Sequence, residues 1–228
     1  MKFCFLLLTT ILLASAAPEV EITSEPHHHQ TLANEQVRVF QVEIRRDSPT
    51  VTHWHRHDYF YVSLGAAHIS NEVAGKPPVD LELQNGETRF SQAPFAHVIR
   101  DLSSEPFRNV TVELLEDARL RKLSSPWKEE RGLDILEGGT EDITMVKDGV
   151  RVSQIELQAG GIVPQTTRAK AALLIGLTDV NLREAGNAGH NTVIQVKAGE
   201  SRWLRAGLAH AVRSEANHNS KFILLEFP

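Results

Sequence analysis

The sequence predicts an all-β chain built as two tandem copies of a sandwich or barrel, and three observations carry that expectation. The first is an internal repeat at an offset of 113 residues that needs no gap. Val37-Arg38-Val39-Phe40-Gln41-Val42-Glu43-Ile44 returns as Val150-Arg151-Val152-Ser153-Gln154-Ile155-Glu156-Leu157, and Gly86-Glu87-Thr88-Arg89-Phe90 as Gly199-Glu200-Ser201-Arg202-Trp203. Ala96-His97 returns as Ala209-His210, and Glu113 as Glu226. A fixed period of this kind marks a duplicated structural unit. The second observation is two-residue alternation of apolar side chains, as in Val110-Val112-Leu114 and Ile194-Val196, which is the pattern of half-buried strands. The third is regular punctuation by turn residues: Asp47-Ser48-Pro49, Gly75-Lys76-Pro77-Pro78, Asn85-Gly86, Gly160-Gly161 and Ala198-Gly199.

Taken in chain order, residues 1–16 are expected to be a signal peptide. Lys2 precedes the apolar run Phe3 to Leu13, and Ala14-Ser15-Ala16 offers a small-residue cleavage site. The run is too short for a membrane span. The protein is therefore expected to be secreted or periplasmic, with no membrane association once the leader is removed. Cys4, the single cysteine, lies inside this segment, so a thiolate site or disulfide in the mature chain is excluded. Loss of Lys2 takes the formal net charge from −5 to about −6, an acidity that argues against a nucleic-acid partner.

Residues 17–33, polar and containing Pro26 and His27-His28-His29, are expected to be a loose arm. The first repeat then runs over 34–118. Residues 119–142, charged through Lys128-Glu129-Glu130-Arg131, are expected to form a linker that lies on the surface through Trp127, Leu133, Ile135 and Leu136. Its one helix candidate, Glu116 to Leu123, is stopped by Ser124-Ser125-Pro126. The second repeat occupies 143–228.

The chemistry lies in His53-Trp54-His55-Arg56-His57. On a strand, residues two apart face the same way. His53 and His55 can thus present two imidazoles to one point inside a barrel, and His97, 42 residues after His55, can join them from a neighbouring strand. Imidazole suits divalent transition metals. In the second repeat Thr166, Arg168 and Lys170 stand at the positions of His53, His55 and His57. Two cations repel a divalent ion, so metal is expected in the first barrel only. Arg168 is open to two readings, an anion contact or an internal ion pair. Arg89 and Arg202 each follow a glutamate at equivalent positions, which favours a structural ion pair, and Trp54 and Trp203 are expected in the core or a pocket wall.

These spacings resemble the cupin family, and specifically the two-domain bicupins. The family's first motif is G-x5-H-x-H-x3,4-E-x6-G and its second is G-x5-P-x-G-x2-H-x3-N. The second is matched in spacing by Gly86, Gln92, Pro94, His97 and Asp101, and again by Gly199, Arg205, Gly207, His210 and Ser214. The first is matched by Asp47, His53 and His55, with Gly160 at its start in the second copy. The resemblance covers residues 34–228 and implies two double-stranded β-helix (jelly-roll) barrels. It also implies a divalent transition metal (Fe, Mn, Zn or Ni) on His53, His55 and His97, and association through exposed sheets as a homodimer.

The chain departs from the family at the acidic ligand. Tyr59 and Phe60 stand where the glutamate belongs, and Asp58 is the nearest acid. Asp58, Tyr59, His57 or a water are the alternatives for the fourth ligand or acid/base group. Two functions follow from the resemblance. One is a metal-dependent oxygenase, isomerase or lyase acting on a small oxygenated compound. The other is a non-enzymatic cupin that binds a small ligand or serves structurally.

Overall fold

A computed structural model describes residues 19–128, 131–164, 171–184, 192–205 and 211–228. The expected leader and Thr166, Arg168, Lys170, His190, Gly207 and His210 lie outside the described residues. In chain order the first half contains β1 (Val20–Glu21), β2 (His28–Ala33), β3 (Val37–Ile44), β4 (His53–His55) and β5 (Tyr59–Ser63). It continues with β6 (Ala67–Val73), β7 (Val79–Leu83), β8 (Thr88–Ser91), β9 (Phe95–Asp101) and β10 (Phe107–Leu114). These ten strands form two facing sheets, ordered β1-β4-β9-β6-β7 and β2-β3-β10-β5-β8. The short helix α1 (Ala118–Ser124) follows, capped by Asp117, whose carboxylate accepts the Arg119 N–H at 2.7 Å.

The second half contains β11 (Gly132–Lys147), β12 (Val150–Val163), β13 (Ala172–Gly176) and β14 (Val180–Glu184). It is completed by β15 (Thr192–Val196), β16 (Ser201–Leu204), β17 (Val212–Ser214) and β18 (Ser220–Glu226). Long β12 pairs with β11, β17 and β18 and so joins what are two separate sheets in the first half. No helix among the described residues is long and apolar enough to cross a membrane.

The 113-residue repeat is a repeat of register as well as of residues. Ile44 faces Phe107 as Leu157 faces Ser220, and Tyr59 faces Ser91 as Ala172 faces Leu204. Ile69 faces Leu81 as Leu182 faces Ile194. The pairing also extends earlier than the sequence pattern suggests. His28 faces Val42 as Glu141 faces Ile155, and both strands carry a bulge at matched places, Gln30/Leu32 and Ile143/Met145. The residues expected to be a loose arm and a linker thus include equivalent edge strands. Their polar composition concealed this, because an edge strand buries little of either face. Leu133 and Ile135 are exposed on β11, and of the apolar residues named there Leu136 packs against the second core.

Two of the three apolar cores lie one inside each barrel, and the third lies between them. The shared core joins Val37, Val39, Phe60, Val62, Val110 and Val112 to Val150, Val152, Leu173, Ile175, Ile223 and Leu225. Each fully buried side chain of this kind contributes about 1.5–3 kcal/mol, so separating the barrels would be costly. The contact is pseudo-symmetric. A Cβ on Gly86 would lie 2.6 Å from Leu177, and one on its equivalent Gly199 would lie 3.3 Å from Leu64, the equivalent of Leu177. Both glycines have φ of 82°, the left-handed turn conformation that Gly adopts without steric cost.

Candidate metal centre

Strand alternation places the histidines. β4 is buried at His53, half-buried at Trp54 and buried at His55, so the two imidazoles enter the first barrel and the indole stays outside. Trp54, expected in a core or pocket wall, instead stands on the outer surface, donating Nε1–H to Glu19 at 2.7 Å with the Arg56 guanidinium 4.2 Å from its ring. β9 runs antiparallel to β4 with His97 directly opposite His53. Their Nε2 atoms lie 3.0 Å apart.

A fourth imidazole joins them from the expected arm. His28, His53 and His55 each offer a ligand nitrogen within 4.8 Å of one another, and the His28 side chain is only 5% exposed. The triplet His27-His28-His29 was the available signal, weakened by its polar surroundings and its distance from the H-x-H pair. His27 turns aside to Glu25 and Ser48, and His29 is exposed.

Three of the four imidazoles are oriented by an oxygen at Nδ1. His53 Nδ1–H donates to Val51 O at 2.9 Å, His97 Nδ1–H to Asn71 Oδ1 at 2.8 Å and His28 Nδ1–H to Glu25 Oε2 at 2.6 Å. His55 Nδ1 lies 3.9 Å from Glu113 Oε1, too far for a hydrogen bond. A proton held on Nδ1 leaves a lone pair on Nε2. In His53 and His97 two such lone pairs face each other, which needs a shared proton or a cation between them. Burial disfavours the proton: it pulls His53 down to about 4 and holds His55 and His97 well below the usual histidine range, with neighbouring imidazoles adding to the effect. Neutral imidazoles, most of them oriented by an oxygen at Nδ1, are a donor set that a divalent transition metal takes.

The other sequence candidates are placed differently. Asp58 does not turn to the cluster; its Oδ1 accepts the Ala93 N–H at 2.9 Å and so fixes the loop before β9. His57 is half-buried and belongs to neither the cluster nor the cavity. Tyr59 is buried and stacks on His55 with centroids 4.0 Å apart. Burial raises its phenol well above the usual range against the hydrogen bond to Ser91. Glu113 sits under His55 with Arg38 Nε 2.9 Å away, a charge contact without hydrogen-bond alignment. Burial pushes its carboxyl up to about 6 despite Arg38. Arg151 and Glu226 repeat that ion pair in the second barrel, with Glu141 3.1 Å from Arg151. Arg89 binds Glu87 at 2.7 Å, the structural pair expected for it.

A cavity of about 190 Å³ opens beside the imidazoles between the two sheets. His28, His55 and His97 stand on its wall with Tyr59, Asn71, Arg89, Asn109 and Thr111, and Ile44, Ile69 and Phe107 supply apolar surface.

No family model matches the chain, and no curated protein does. Solved structures do match. An oxalate decarboxylase from Lactobacillus farciminis, in complex with formate, superposes with a TM-score of 0.61 at 10% identity, covering 90% of this chain and 84% of its own. The fold is the double cupin barrel. A Bacillus subtilis oxalate decarboxylase, described for its Mn(II) centres, superposes with a TM-score of 0.61 at 9% identity, covering 90% of this chain and 76% of its own. The cupin architecture is common to them and this chain, and at such identities the likeness speaks to fold alone.

Proposed function

We propose that the first barrel holds a divalent transition metal on His53, His55 and His97, and uses it on a small oxygenated compound bound in the adjacent cavity. The observation that carries this reading is the convergence of buried imidazoles, His53 and His97 anchored at Nδ1, beside a partly open polar cavity. A bound ion of this kind supplies Lewis acidity and, when redox-active, a route to dioxygen.

The chain's own residues suit an oxygen-rich, anionic ligand. Asn71 commits its amide oxygen to His97, and Asn109 commits its own to the Thr111 hydroxyl at 2.8 Å. Each keeps its NH2 as a donor at the cavity wall, where the Arg89 guanidinium is already paired with Glu87. Two amide donors beside a bound cation favour a small carboxylate. The oxalate decarboxylases that share the fold act on a compound of that size and chemistry. Buried apolar side chains around the donors exclude water, which strengthens every polar contact inside.

Elemental analysis of native protein, never exposed to chelator or affinity resin, tests the reading. About one equivalent of metal per chain is expected; well under one equivalent overturns it. The alternative of a non-enzymatic binder is separated by His53→Ala. Loss of a metal-dependent turnover of small carboxylates supports the enzyme, and a change in stability alone supports the binder. The proposal includes export: the N-terminus of mature protein is expected at Ala17, and an intact Met1 in protein from the growth medium or periplasm would refute it.

A further inference from the structure

We infer that the N-terminal arm is a metal-linked clasp: His28, carried by the arm, supplies the ligand that the missing cupin glutamate would have provided, so arm docking and metal binding strengthen each other. The inference rests on the metal reading of the first barrel and adds to it a ligand and a moving part.

The argument starts from position. His28 opens β2, the edge strand of its sheet, with a partner on one side only, β3. Edge pairing of this sort opens locally at low cost. Yet the His28 ring is driven inward, 4.8 Å from the His53 ring centre to centre, and its Nδ1 is held by Glu25 on the same arm. Glu25 is 2% exposed and also accepts the Val51 N–H at 3.2 Å, which ties the arm to the segment entering β4. The arm therefore carries both an imidazole and the carboxylate that orients it, the arrangement that raises ligand basicity in metal sites.

Position 141, the equivalent of 28 in the second barrel, is Glu141, whose carboxylate pairs with Arg151 at 3.1 Å. A histidine at this position is thus a property of the barrel with the other imidazoles, and not a requirement of the edge strand. The rest of the arm's grip is independent of any metal: Ile22 is buried in the first-barrel core, β1 pairs with β4 and β2 pairs with β3. Arg56 meets Glu21 at 2.9 Å and Trp54 meets Glu19, all at the surface, where such contacts are weak and salt-screened. Of all these restraints, His28 is the one that a bound metal would strengthen.

Linkage makes the inference quantitative. If docking the arm raises metal affinity by some factor, metal must shift the arm's opening equilibrium by the same factor. The test uses the full mature chain, metal-free and loaded with Zn(II) or Mn(II), as wild type, His28→Phe and His29→Ala. Phenylalanine keeps a ring against Phe40 and removes the nitrogen. Metal dissociation constants come from competition titration, and arm opening from hydrogen exchange over residues 19–33.

The expected result is a metal affinity at least about tenfold weaker in His28→Phe, the lower end of what loss of even a supporting partner costs. Metal-dependent slowing of exchange in the arm should be present in wild type and His29→Ala and absent in His28→Phe. Wild-type affinity within twofold in His28→Phe, or arm exchange indifferent to metal in wild type, overturns the clasp. Should His53→Ala lose metal while His28→Phe keeps it, the clasp fails and the metal centre stands; should wild type bind neither ion, both fail.

Discussion

The two barrels share a backbone and differ in what fills it. At matched positions Tyr59, Tyr61, Ser91, Asn109 and Thr111 of the first stand against Ala172, Leu174, Leu204, Phe222 and Leu224 of the second. The first set surrounds a cavity; Ala172, Leu174, Phe222 and Leu224 belong to a packed apolar core, with Leu204 against it. One register therefore supports both a site and a plug. The choice between them rests on a few inward side chains, because strand pairing is set by the backbone while the interior is set by every second residue. What both keep is the Arg–Glu pair, Arg38 with Glu113 and Arg151 with Glu226. Its presence in both halves marks it as part of the barrel rather than of the chemistry.

The comparison can be broken most severely at the imidazoles. His53→Ala or His97→Ala is expected to weaken metal binding by about 100-fold or more, since each removes a ligand rather than a supporting group. Titration that still shows wild-type affinity would mean the first barrel is no more a metal site than the second. Next in size is the shared ion pair. Arg151→Leu removes the cation between Glu141 and Glu226 and should cost about 3–5 kcal/mol in urea unfolding. Arg38→Leu should cost less, because Glu113 already sits near 6 and can take up a proton. Equal losses would contradict the asymmetry.

Exchanging the fillings sharpens the contrast further. Leu224→Thr should destabilise by about 2–4 kcal/mol without creating a ligand site, since it leaves a void and a hydroxyl in an apolar core. The reverse change, Thr111→Leu with Asn109→Leu, should lower affinity for a small carboxylate about tenfold or more while metal is retained. Unchanged ligand binding there would place the ligand elsewhere.

The smallest expected effect is on pH. In metal-free protein the folded imidazoles refuse protons that the unfolded chain accepts, so stability falls as pH drops from about 6.5 toward the His53 value of about 4. Burial gives the folded Glu113 carboxyl a value of about 6 against an ordinary 4.5, which works in the opposite direction over that narrower window. Glu25 adds a second loss below about 4.5, because hydrogen bonds from His28 and His27 outweigh its burial and hold it at about 2. Melting temperature should fall by at least about 2–4 °C between pH 7 and pH 5, the shift that ~1 kcal/mol makes in a chain of this size. A flat profile would show that the cluster is not held neutral by burial.

Much of this was legible in the chain itself. The offset of 113 residues, the alternation and the glycine turns specified a duplicated all-β fold, the motif spacing made each copy a barrel, and the spacing of His53, His55 and His97 was enough to bring three imidazoles to one barrel. Those are local or periodic signals, and strand geometry converts them into faces directly. Other features depended on the tertiary structure. His28 lies 25 residues from His53 in a polar segment, and only pairing with β3 turns it inward. Asp58 looked like a ligand by spacing, yet the loop before β9 claims its carboxylate. Trp54 looked like a core residue by type, yet alternation between two inward histidines sends it to the surface. Sequence periodicity states which residues share a face. Which face meets a cavity, and which distant edge strand closes it, is decided by contacts between segments that no local pattern encodes.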